Sequence, residues 1–133
     1  MSIPSRLKKF LGVPHSRHEL PTPCLVVDKK ALLRNIETMQ QHCMSRGISL
    51  RPHAKTHRTH QIADIQIENG AVGVCAASVD EAEYLAANGI HDVLLTSEIV
   101  TTDKIRRLLL LKGQRCNVSV VVDDVDIVRL IDQ

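Results

Sequence analysis

The densest set of reactive side chains lies at Arg51-Pro52-His53-Ala54-Lys55-Thr56-His57-Arg58-Thr59-His60. One lysine stands among three histidines, with an arginine on either side. A neutral lysine amine attacks an aldehyde or ketone and forms a Schiff base. Cationic neighbours and partial burial both favour a neutral amine, and Arg51 and Arg58 are the local cations. The bland alternative is a solvated surface lysine, which composition alone favours. His53 and His57 are four apart, and His60 follows three later. On a helix that spacing would gather metal ligands on one face, but the zincin pattern needs glutamate where Ala54 stands. Pro52 also argues against a helix beginning before the stretch. Hydrogen bonding or ring stacking therefore suits His53 better than metal ligation, and no metal site is expected here.

The surrounding pattern places this cluster. Cys24-Leu25-Val26-Val27 reads as a short buried strand, and Asp28 as the N-cap of a helix carrying Leu32, Ile36, Met39 and Cys43. Gly47 ends that helix. Ile48 to Leu50 reads as a second strand leading into the cluster, and a helix from about Thr59 to Glu68 follows. Ala71 to Cys75 is the third strand. Ser78-Val79-Asp80-Glu81 is a capping box, opening a helix with Ala82, Leu85 and Ala86 inward. Val93 to Leu95 is the fourth strand. Thr101 or Thr102 then caps a helix with Ile105, Leu108, Leu109 and Lys112, closed by Gly113. Val118 to Val122 is the fifth strand, and Asp123 or Asp124 caps a last helix with Val125, Val128, Leu130 and Ile131. Five strand–helix units recur every 21 to 25 residues or so, the rhythm of a parallel β/α structure. A doubly wound five-stranded sheet fits this length. So do the first five units of an eight-stranded barrel, which needs about 250 residues when complete. In either, the cluster sits at the strand edge where ligands bind. Thr96-Ser97-Glu98 lies at the same edge, as ligand contacts or as ordinary turn chemistry, and Cys75 lines it too.

Composition excludes several classes. The formal charge of +2 and the lack of basic tracts interleaved with aromatics predict no nucleic-acid or membrane partner. No apolar run approaches the roughly 20 residues of a membrane span, and residues 1 to 13 are too polar for a secretory signal. Leu7, Phe10 and Leu11 suit a short docked terminal helix. Aromatic residues make up only 2%, so the core must be aliphatic, as in buried parallel strands. Cys24, Cys43, Cys75 and Cys116 form no C-x-x-C pair. They read as free thiols, with Cys24, Cys75 and Cys116 buried, in a reducing, cytoplasmic setting. No dinucleotide fingerprint or P-loop is present.

Arg51-Pro52-His53-Ala54-Lys55-Thr56-His57 resembles the R-P-H-x-K-T-H motif of the D-threonine aldolase and D-serine dehydratase-like family, pyridoxal-phosphate enzymes of the alanine-racemase type. Thr22-Pro23-Cys24-Leu25-Val26-Val27-Asp28 is similar to that family's opening strand. Gly70 to Cys75, Glu81-Ala82-Glu83, Gly89 to Leu94 and Thr96 to Val100 follow in the family's order, with Ser97 where asparagine is more usual. The resemblance spans roughly residues 20 to 132. It implies an α/β fold: the N-terminal portion of a (β/α)8 TIM barrel of alanine-racemase type, about five β/α units, incomplete. On this reading 1–22 is an irregular N-terminal segment and 23–133 a partial cofactor-binding barrel.

The resemblance further implies pyridoxal 5'-phosphate on Lys55, with His53, Arg51 and His57 as cofactor neighbours. It implies a D-amino acid substrate, a homodimeric parent enzyme, and a divalent metal whose ligands lie in later parts of the barrel protein. The expected reaction is the aldolase cleavage of a D-β-hydroxy-α-amino acid to glycine and an aldehyde. The alternatives are a dehydratase, and a non-enzymatic pyridoxal-phosphate homeostasis protein, against which His53 and His57 count. A receiver-like signalling domain would want clustered acidic residues after the first strand, where only Asp28 stands. Half a barrel leaves open strand edges, so the 133 residues alone are expected to be poorly soluble and inactive.

Overall fold

The computed structural model describes residues 4–113 and 115–132. They fall into two units, divided between Arg34 and Asn35. The first carries a one-turn helix α1 (Ser5–Lys8) and a 3-10 turn at Ser16–Glu19. The Ser16 hydroxyl donates to the carbonyls of Val13 at 2.8 Å and Phe10 at 3.1 Å, closing the intervening loop.

Cys24 to Val27 forms no strand. Leu25 is 99% exposed, Val26 and Val27 are exposed, and so is Cys24, against the expectation of a buried strand and a buried thiol. The physical reason lies in the ladder. A parallel strand needs a neighbour's N–H and C=O groups, and no other described segment of the first unit is a strand. Asp28 does cap the next helix, its Oδ1 accepting the Ala31 N–H at 3.0 Å. That helix, α2 (Lys29–Met44), continues into the second unit, where it buries Ile36, Gln40 and Cys43. Met39 is exposed; Gln40 takes the inward position because its amide donates to the Gly70 carbonyl at 3.1 Å. Gly47, at φ +66°, ends the helix. The Ile48 N–H returns to the Cys43 carbonyl at 3.0 Å, a closure that needs the left-handed conformation glycine adopts most readily.

The second unit is a parallel sheet with helices on one face. β1 (Val74–Ala76), β2 (Asp92–Leu95) and β3 (Asn117–Val120) lie in chain order, with Cys75 beside Leu94 and Leu94 beside Ser119. The second expected strand is displaced. Ile48 is exposed, and pairing begins only where the Val72 N–H meets the Leu50 carbonyl at 3.0 Å and the Cys75 N–H meets the Pro52 carbonyl at 2.8 Å. A lone parallel bridge joins His53 to Cys75. Pro52 has no N–H to give, so the ladder there cannot run on.

Alternation then sorts the side chains. Val74, Ala76, Val93 and Leu95 are fully buried and pack with α4 (Val79–Ala87) and α5 (Thr102–Gly113). Leu85, Ile90 and Leu95 are among the largest fully buried side chains, each worth about 1.5–3 kcal/mol. On α5 the buried stripe is Ile105, Leu108 and Leu111. Leu109 is exposed; within a run of four leucines the period does not show which ones turn inward. Helix α3 (His60–Glu68) buries Ala63, and α6 (Val125–Ile131) sets Leu130 and Ile131 against the core while Val125 and Val128 stay exposed. The Asp124 side chain caps α6. The capping box of α4 forms with one change: Ser78 Oγ accepts the Glu81 N–H at 3.2 Å, but Glu81 reaches back to the N–H of Ala77, at 2.6 Å. Cys43, Cys75 and Cys116 are buried free thiols.

Candidate active site

The other face of the sheet, and its C-terminal edge, carry the chemistry. Directly after the His53 bridge the chain turns through one 3-10 turn, Ala54–Thr56. Ala54 is fully buried and anchors the turn, whereas Lys55 is exposed. Beside it opens a cleft lined by Lys55, Arg58, Ala77, Ser78, Asp80, Glu81 and Tyr84. The first turn of α4 therefore forms one wall.

His53 is tied at both ring nitrogens. Nδ1 accepts the Lys55 backbone N–H at 3.3 Å, and Nε2 lies 3.0 Å from Thr96 Oγ1. Burial, and after it the charge of Lys55, hold the His53 pKa below the ordinary histidine value. His57 is half-buried. Its Nδ1 accepts the Thr59 N–H at 3.3 Å, and its buried Nε2 interacts with the Gln66 side chain. Burial also lowers the His57 pKa. His60 turns to Asp64, with Nδ1 to Oδ2 at 3.2 Å, and packs its ring on Tyr84 with centroids 6.1 Å apart. The three histidines thus have separate surroundings. Among the described residues no group of three or more His, Cys, Asp or Glu side chains could hold a metal ion.

Arg51 is not brought to Lys55. Its guanidinium pairs with Asp92 Oδ1 across Gly73, and Asn117 Nδ2 donates to Asp92 Oδ2 at 2.8 Å. Asp92 and Asn117 begin their strands, so this rung lies at the sheet edge opposite the lysine. Of the two arginines, Arg58 is the one in the cleft. Thr96 and Ser97 serve the turn: their hydroxyls donate to the carbonyls of Ala76 at 3.0 Å and Ala77 at 2.7 Å. Thr96 also contacts His53, a link that joins two distant stretches of chain. Burial pushes the Cys75 thiol up, keeping it protonated near neutral pH. Tyr84 escaped sequence reasoning; its one signal was being the sole tyrosine of the chain.

A parallel β/α sheet with a lysine exposed just beyond the His53 bridge, at the carboxyl edge of the sheet, defines the class. Residues 27–133 match the alanine racemase N-terminal domain family, and the chain belongs to it. Its fold is the N-terminal part of a β/α barrel of that type. A 3-hydroxy-D-aspartate aldolase from Paracoccus denitrificans is 43% identical over 108 residues, 80% of this chain and 28% of the relative. The crystal structure of a D-threonine aldolase from Filomicrobium marinum superposes with a TM-score of 0.81 at 40% identity, over 85% of this chain and 30% of that one. A D-threo-3-hydroxyaspartate dehydratase from Delftia sp. is 34% identical over 106 residues, 80% of this chain and 28% of the relative. The chain thus spans under a third of the length of these relatives.

Proposed function

We propose that residues 23–133 are the lysine-bearing β/α portion of a pyridoxal-phosphate-dependent lyase acting on D-β-hydroxy-α-amino acids, with D-threonine-type cleavage to glycine and an aldehyde as its reaction. The observation that supports it is the exposure of Lys55 in a cleft at the carboxyl ends of the strands, beside a histidine tied at both ring nitrogens.

The residues present fit the cofactor. The Lys55 amine opens to the cleft and would hold the cofactor aldehyde covalently. When bound, pyridoxal phosphate supplies an electron sink for the amino acid's Cα substituents. His53, with its proton on Nε2, presents a neutral ring beside Lys55 and adds no cation there. Burial likewise lowers the pKa of His57. The capping role of Glu81 keeps its carboxylate turned to the Ala77 N–H, and Asp80 is paired with Arg107.

The test uses the full-length protein. With pyridoxal phosphate it should develop a visible absorbance band and release glycine and acetaldehyde from D-threonine. Lys55→Ala should lose both, and a variant that kept both would refute the assignment. The similarity to a dehydratase supports a second reading, in which ammonia and a keto acid appear in place of glycine.

A further inference from the structure

Four charged side chains line the Lys55 cleft: Lys55, Arg58, Asp80 and Glu81. Both carboxylates are engaged, Asp80 by the Arg107 guanidinium and Glu81 by the Ala77 N–H at 2.6 Å. Among the described residues Arg58 has no carboxylate partner. Its guanidinium offers five N–H donors in a planar fork, suited to an oxyacid group. Its backbone is also held unusually. Arg58 sits at φ +51°, a left-handed conformation unfavourable for a side chain of this size. Its N–H closes on the Ala54 carbonyl at 2.8 Å. That turn reverses the chain between the lysine turn and α3, and keeps Arg58 in the cleft three residues after Lys55.

We infer that Arg58 is the anion-binding residue of the cleft, holding the phosphate or carboxylate of the molecule that engages Lys55. The inference rests on the proposed lyase reading and deepens it. The shared chemistry is an oxyacid group; its two sources are the cofactor phosphate and a carboxylate of the amino acid.

The experiment compares full-length wild type, Arg58→Gln and Arg58→Lys. Pyridoxal-phosphate affinity is read by absorbance titration, KM and kcat with D-threonine and 3-hydroxy-D-aspartate, and folding by thermal melts. Loss of a charge-assisted pair should cost roughly ten- to hundredfold in binding, with Arg58→Lys restoring part. Weaker cofactor binding assigns the phosphate. Unchanged cofactor binding with a raised KM assigns a carboxylate. An Arg58→Gln protein that melts like wild type and keeps both quantities within about twofold overturns the inference. If that variant melts early, or wild type takes up no pyridoxal phosphate and the lyase reading falls, inorganic phosphate is titrated into the wild-type protein. A saturating shift of the Arg58 Nε–H resonance then supports the assignment, and an unmoved resonance overturns it.

Discussion

His53 Nε2 lies 3.0 Å from Thr96 Oγ1, and this contact defines the proton position on the imidazole. The threonine hydroxyl has one proton, and it goes to the Ala76 carbonyl at 3.0 Å. Oγ1 must therefore accept from His53, which places the ring proton on Nε2. At the opposite nitrogen, Nδ1 accepts the Lys55 N–H. Two residues 43 positions apart in the chain thus set the tautomer of the ring beside Lys55.

Thr96→Val keeps the shape and removes the acceptor. His53 would then keep a half-buried Nε2–H with no partner, at a cost of about 1–3 kcal/mol. Nitrogen-15 spectra of the imidazole should show an Nε2–H tautomer in wild type and a mixture in the variant. A variant that retained the wild-type ring shifts would disprove the contact.

The two lowered histidine pKa values make stability depend on pH in a defined direction. His53 and His57 are harder to protonate folded than unfolded. Their contribution is complete above the unfolded value of about 6.5 and is lost as pH falls below it towards the folded values. The melting temperature of the full-length protein should decline on acidification from about pH 6.5. A His53→Gln, His57→Gln double variant should show a flatter profile across that window.

Gly73 is required by space. A Cβ there would lie 2.6 Å from the Asp92 carbonyl oxygen and 2.8 Å from Asp92 Oδ1, as well as against the Arg51 guanidinium. Gly73→Ala should push the Arg51–Asp92 pair apart and cost about 1–3 kcal/mol, read by urea unfolding. Lys55 lies at the other sheet edge, so cofactor affinity should change far less than stability.

Arg107 ties α5 to α4 through a bidentate bond to Glu83, at 2.8 and 2.6 Å, and through Asp80. The guanidinium holds the Glu83 carboxyl below its ordinary value. In Arg107→Gln the Glu83 titration, followed by NMR, should move up to the usual carboxylate range. The pair's contribution to stability should shrink in high salt.

Much of the local structure was legible in the chain. Asp28, Ser78 and Asp124 announce helix starts because short polar side chains satisfy free N–H groups, and Gly47 announces an end. The aliphatic runs around residues 74, 93 and 118 mark the parallel strands. The first two strands were misread because a strand is not a property of one segment. Cys24 to Val27 has the composition but no described partner, and Pro52 interrupts the ladder the second would need. The leucine run of α5 hid its inward stripe for a related reason, since only the neighbouring sheet selects which leucines are buried.

The candidate site divides the same way. Sequence alone determined that a lysine stands among histidines, because residue type and spacing are local. Tertiary structure decided which neighbours share its cleft. Arg51 and Arg58 flank Lys55 almost symmetrically in the chain. The rung across Gly73 commits Arg51 to Asp92, whereas the left-handed turn keeps Arg58 beside the lysine. Likewise His53 is a bare histidine in sequence; its Nε2 partner, Thr96, and the burial that lowers its pKa both come from the fold. Charge and hydrogen bonding act through space, and only the fold determines which groups lie within reach.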